Sequence, residues 1–308
     1  MPEMGVVLGC SGAPHPCEIP RAVPHLGRGD GDTRRRLRRP GVTGVAFGGM
    51  GYNPAMHPLI GRDDPAPFVI LHEHGTAPAL VICDHASRAF PRAMNRLGLP
   101  ELAGWQHIAW DIGAGELARG LSHALDAPAV LAGYSRLVVD CNRHPDDPEA
   151  FRSVSDGWEI PGNAALGEFD RRRRLGCFFD PYHEAIAAML ADFRRRQVVP
   201  MVVSVHTFTP EMAGTARPWH VGVLWDKDEA SARRLIEGLR AVEGLVVGDN
   251  EPYSGKHPSD YTIDHHAEQA GPPHRSHGAR RGPPVAPRRP VRRGGPPARP
   301  LRHPCAPP

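Results

Sequence analysis

Several absences narrow the class of this chain before any motif is read. No apolar run in its 308 residues approaches the roughly 18 that a membrane helix needs, so a membrane-spanning protein is not expected. No charged segment leads into an apolar one at the N-terminus, so no secretory leader is read there. The six cysteines, at positions 10, 17, 83, 141, 177 and 305, form no CxxC pair and no regular spacing. That points to a reduced, cytoplasmic setting. Carboxylates are missing from one end altogether: residues 271–308 hold nine Arg and no Asp, Glu or Lys.

The excess lies in Pro and Gly, 35 and 34 residues, each near a ninth of the chain against averages of about 5 and 7 %. The net charge of +3 is spread unevenly. Residues 1–45 carry seven Arg against four acids, whereas 46–270 hold 21 basic and 30 acidic residues. An acidic middle between basic ends argues against a nucleic-acid-binding domain in the folded part. Residues 1–62 read as a poorly structured arm, with the run Arg34–Arg39 as solvated charge and Asp30-Gly31 as a flexible turn. Met50 and Met56 are candidate alternative starts.

From residue 63 to 270 the text is that of an α/β domain. Phe68–Leu71, Ala79–Cys83, Ala129–Leu131, Leu137–Val139, Val198–Val205, His220–Trp225 and Leu245–Val247 are short apolar runs bounded by turn residues, as buried strands are. Helices are predicted from Asp111 through Leu125, from Asp180-Pro181 through Phe193, and over Glu229–Arg240. Alternating strands and helices predict a three-layer sandwich around a central mixed, mostly parallel sheet.

In such sheets ligands gather at the carboxyl ends of strands. Val81-Ile82-Cys83 runs into Asp84-His85, Leu137-Val138-Val139 into Asp140-Cys141-Asn142-Arg143-His144, and Val202–Val205 into His206. Two His and a carboxylate with an open fourth position form the usual catalytic zinc site. Each His taken singly reads more simply as structural; it is the coincidence at several strand ends that points to a metal.

The segments CDHAS, HIAWDIGA, YSRLVVDCNRHP, PYHEAI, SVHTFTP, HVGVLWD and YTIDHHAE, in unbroken order over residues 66–270, resemble the N-formylglutamate amidohydrolases. The resemblance implies a zinc hydrolase, related to zinc carboxypeptidases and aspartoacylases, that cleaves the amide of a small N-formyl or N-acyl amino acid. It implies His85 and His206 as metal ligands and offers Asp111 as the third, although Asp111 also reads as a plain helix cap. Asp84 is the second choice, and Arg88 stands where a carboxypeptidase-type site has Glu. Arg136 resembles an oxyanion-stabilising residue, and Asn142 and Arg143 a carboxylate-holding pair; a salt bridge from Arg136 to Asp140 is the plainer alternative. Adjacent His265 and His266 point apart, and His266 is the candidate for a substrate contact. His183, and the runs Arg171–Arg174 and Arg194–Arg196, read as surface.

The pattern breaks after about Ala270. Members of the family continue into a strand bearing a Glu, the expected general base, and then a helix. Residues 271–308 have too few apolar residues for either element, and read as a disordered Arg/Pro/Gly tail of the kind a shifted frame in a GC-rich gene produces. Alternatives at this point are a carboxypeptidase-like amidase acting on a peptide or cell-wall fragment, an inactive product of a damaged gene, and an Arg-rich tail that binds RNA.

Overall fold

Short apolar stretches set the centre of the molecule. The computed structural model describes residues 5–11, 59–212, 214–256 and 260–268. In chain order the strands are β1 (Gly5–Ser11), β2 (Phe68–Leu71), β3 (Ala79–Cys83), β4 (Ala129–Ala132), the hairpin β5 (Val154–Ser155) and β6 (Trp158–Glu159), β7 (Met201–Phe208), the hairpin β8 (Glu211–Met212) and β9 (Thr215–Ala216), β10 (Val221–Leu224) and β11 (Val247–Asp249). The helices are α1 (Ala114–Leu125), α2 (Pro161–Ala164), α3 (Glu168–Arg174), α4 (Asp180–Arg195) and α5 (Glu229–Arg240).

Seven strands form one sheet in the order β11-β10-β1-β7-β3-β4-β2. β1 runs antiparallel to β7 and β2 antiparallel to β4, while the other neighbouring pairs are parallel. The expected mixed, mostly parallel sheet is therefore present. Its two faces are visible along β3, whose side chains alternate across the pleat. Leu80 and Ile82 pack with Tyr182, Ile186, Met189 and Phe193 of α4. Val81 and Cys83 pack with Ala114 and Ala118 of α1 on the opposite face. α5 closes the β10–β11 side around Val223, Ile236 and Val247. A strand covered on both faces needs an unbroken apolar run, which is why Ala79–Cys83 was legible without its partners.

Four expectations are corrected. The arm assigned to residues 1–62 contains a strand: Gly5–Ser11 pairs with β7 on one side and β10 on the other, with Val7 opposite His206 and only 2 % exposed. Leu59 and Ile60 also pack against the core around Phe178 and Phe179. The partners of β1 lie about two hundred positions away, so local composition carried no trace of them. Leu137–Val139 is buried but not a strand; Val138 N–H turns back to the Ser135 carbonyl, and Val138 and Val139 pack against Phe151, Phe178 and Phe179 without pairing in a ladder. The helix after Asp111 begins at Ala114, because Gly113 sits at φ +85°, a left-handed conformation that suits glycine, and Asp111 directs its carboxylate elsewhere. α4 is not capped by Asp180 but continues from α3 through a π-helical turn at Leu175–Phe179. Arg34–Arg39, Asp30-Gly31, Met50, Met56 and the tail 271–308 lie outside the described residues.

Candidate metal centre

The parallel pair β3 and β7 delivers its following residues to one end of the sheet. β3 ends at Cys83, so Asp84 and His85 emerge there, both almost fully buried. Asp111 reaches the same place from the loop before α1, its N–H bonded to the His85 carbonyl at 3.1 Å. α1 approaches the residues that follow β3 closely at Gly115, where a side chain would collide with the Ala86 carbonyl. His206 stands near the end of β7, one pleat repeat beyond Ser204, so both residues share a face.

His85 Nδ1 and His206 Nδ1 both face Asp111 Oδ2, at 3.4 and 2.8 Å. The opposite nitrogen of each ring meets a different buried carboxylate. His85 Nε2 lies 2.7 Å from Asp140 Oδ1. His206 Nε2 lies 3.2 Å from Asp84 Oδ2 and 3.1 Å from Ser204 Oγ. With Nε2 engaged in both rings, the two Nδ1 atoms converge with the Asp111 carboxylate, and one ligand atom from each of the three residues lies within 4.8 Å of the others. Two imidazole nitrogens and one carboxylate oxygen, each held by an outer partner, can hold a divalent metal ion and leave a position open.

Electrostatics fit the same arrangement. Burial opposes ionisation of Asp111, but the His85 and His206 contacts and the Arg136 charge outweigh it, holding the carboxyl well below its ordinary range. Asp140 is lowered in the same way: burial is overcome by His85 and Arg136. Burial would depress His206, yet its bonds to Asp111 and Asp84 push it up to about 10. The centre is built for positive charge, whether proton or metal ion.

Arg136 donates through Nη1 to Asp111 Oδ1 at 3.1 Å, and through Nε and Nη2 to Asp140 Oδ2 at 3.3 and 3.1 Å. The plainer alternative, a salt bridge to Asp140, thus exists, and it extends to Asp111. Asn142 and Arg143 are placed beside the segment 260–268. Asn142 Oδ1 accepts the Tyr261 and Thr262 N–H groups, at 3.1 and 3.0 Å, and its amide donates to Asp260. Arg143 Nη1 bonds the same Asp260 oxygen at 3.1 Å. His266 is buried against His183, while its neighbour His265 is exposed and stacks on Tyr261; the two adjacent rings lie 4.8 Å apart, edge to face, rather than pointing apart. Arg88, three residues past His85, lies over the Trp105 ring.

Three residues escaped the sequence reading in their present roles. Asp140 and Asp84 stand behind the two histidines rather than beside a metal. His183, read as surface, is buried: its Nε2 donates to the Cys141 carbonyl and its Nδ1 therefore accepts from His266 Nε2, both at 2.9 Å. The apolar spacing of Ile186, Met189 and Phe193 on the same helix was the available signal for its inward position.

A mixed seven-stranded α/β sheet carries at its rim a His-Asp-His group that could hold a metal ion. The family model "N-formylglutamate amidohydrolase" matches residues 77–276. The chain belongs to the N-formylglutamate amidohydrolase family. It is similar to a crystal structure of a gene product from Agrobacterium tumefaciens, at 31 % identity and TM-score 0.66, over 70 % of this chain and 84 % of that one. A crystal structure of N-formylglutamate amidohydrolase from Ralstonia eutropha JMP134 matches at 19 % identity and TM-score 0.41, over 68 % of this chain and 82 % of that one. No curated protein sequence matches the chain. Among the described residues, no helix is long and apolar enough to cross a membrane.

Proposed function

We propose that this chain hydrolyses the amide bond of a small N-formyl or N-acyl amino acid such as N-formylglutamate, with zinc held by His85, Asp111 and His206. The observation that carries this reading is the convergence of both Nδ1 atoms on Asp111 while both Nε2 atoms are tied to other carboxylates. Zinc bound there would supply Lewis-acid polarisation of the amide carbonyl and an acidified water. The remaining work falls to the chain's own side chains. Arg136 directs three of its five N–H groups at Asp111 and Asp140, which leaves two for the oxyanion that forms at the scissile carbonyl. Arg143 already pairs with one carboxylate, that of Asp260, and with Asn142 beside it would hold the carboxylate of the substrate. His266 would contact substrate from the adjoining segment. Free thiols at Cys83, Cys141 and Cys177 agree with a cytoplasmic setting.

The family pattern expects its base, a Glu, past residue 270, and residues 271–308 contain no Asp or Glu. Turnover by this chain is therefore expected to be impaired. The test is to purify the chain, measure bound zinc, and assay formate release from N-formylglutamate. Bound zinc with slow turnover, restored by a C-terminus read in another frame that supplies a Glu-bearing strand, is the expected result. Fast turnover by the chain as it stands would show that another residue serves as base. A purified, folded chain that takes up no zinc would overturn the metal assignment.

A further inference from the structure

Asp84 is 1 % exposed and sits next to a metal-site histidine in sequence, yet its carboxylate turns away from His85 to the other one. Its two oxygens collect four polar partners from three separate parts of the chain. On Oδ2 it receives the Ser204 hydroxyl at 3.3 Å, and His206 Nε2 lies 3.2 Å away. On Oδ1 it receives Tyr182 OH from α4 at 3.0 Å and Thr262 Oγ1 at 2.7 Å. Thr262 lies 178 residues further along the chain, is wholly buried, and belongs to the segment that Asn142 grips through the Tyr261 and Thr262 amides. His266 docks the same segment a turn later against His183.

A ring nitrogen that donates to a fixed carboxylate loses its rotational freedom, and the tautomer with its proton on that nitrogen leaves the other one open for a metal. Tyr182 and Thr262 act on the opposite oxygen of the same carboxylate, so they fix the plane in which Asp84 meets His206 and Ser204. We propose that Asp84 is a positioning residue for His206, and that through the Thr262 hydroxyl it couples the docking of segment 260–268 to the affinity of the centre for a divalent metal. The proposal rests on the metal reading of His85, Asp111 and His206. It adds that a segment distant in sequence from both histidines helps set how tightly the metal is held. Coupling of this kind is reciprocal: whatever docking adds to metal affinity, the metal adds to docking.

Zinc titrations of the full chain, by competition with a chromophoric chelator, test the first half. Asp84→Asn is expected to weaken zinc binding by roughly 10- to 100-fold, the usual effect of removing an outer partner of a metal-ligating histidine. Thr262→Val should weaken it by roughly fivefold or more, with Asp84 still in place. The cobalt-substituted Asp84→Asn protein should show an altered visible absorption spectrum, which a loss of stability alone would not produce. Amide hydrogen exchange tests the second half. Zinc should slow exchange at Tyr261 and Thr262 in the wild-type chain and much less in Asp84→Asn. Circular dichroism of each metal-free variant reports whether it is folded; if Asp84→Asn does not fold, Thr262→Val and Ser204→Ala decide the matter. Folded variants that bind zinc within twofold of wild type would overturn the proposal, as would wild-type exchange at Tyr261 and Thr262 unchanged by bound zinc. A wild-type chain that binds no zinc would instead overturn the metal reading itself.

Discussion

At the scale of single residues, neighbours of one type meet opposite fates. Arg171–Arg174 is four arginines in a row, yet Arg174 is 5 % exposed while Arg172 lies in solvent beside Glu168. The Arg174 guanidinium donates to the Val138 carbonyl, to Asn163 Oδ1 and to the Gly162 carbonyl, tying α2 and α3 to the loop that leads into Asp140. Burial drives its pKa down to about 10, still charged at neutral pH. Removing it would leave several buried acceptors without donors. Arg174→Ala is expected to lose about 2–4 kcal/mol in urea unfolding. Arg172→Ala should change stability by no more than about 0.5 kcal/mol, because its ion pair is solvent-screened.

Among the elements, β1 has the largest consequence for its size. Seven residues close the gap between β7 and β10, and without them both neighbours would present open edges. Val7 shares a face with the opposing His206 and is buried. Val7→Ala should therefore cost about 2 kcal/mol, read from the denaturant midpoint. A chain begun at Met56 should self-associate on size exclusion and unfold at a lower temperature than the full chain. If it stays monomeric with an unchanged unfolding temperature, β1 contributes nothing to the sheet. Leu137–Val139 shows the reverse case: three apolar residues that look like a strand are buried against Phe151, Phe178 and Phe179 without pairing, since three residues contain no pairing information of their own.

Across the molecule, stability should depend on pH through the buried histidine pair. Burial lowers His183 to about 4, against a partial opposing effect of Asp84 and the Cys141 carbonyl. Burial and the neighbouring His183 and His265 lower His266 to about 3. Both rings titrate near 6.5 once the chain unfolds. Between pH 6.5 and about 3 the pair therefore binds more protons in the unfolded chain than in the folded one, so its contribution to stability is full above 6.5 and falls as the pH drops through that window. The part due to His183 is of the order of 3 kcal/mol. Urea midpoints at pH 7.5 and pH 5 should separate widely for the wild type and less for His266→Gln, in which one of the two shifted groups is gone. Equal separations would remove the pair as the cause.

The sequence by itself determined the α/β class, most of the sheet strands, the extent of α5 and the presence of His85 and His206 at strand ends, because all of these follow from short-range periodicity and from where polar residues interrupt apolar runs. Only the tertiary structure decided which carboxylate faces which histidine. Asp84 adjoins His85 in the chain but meets His206, while Asp140 meets His85 across 55 residues. It also decided that Gly5–Ser11 belongs to the sheet and that Thr262 reaches Asp84. The reason is physical in each case: a side chain's partner across a sheet or between layers is fixed by strand order and register, and those are set by contacts between residues far apart in sequence.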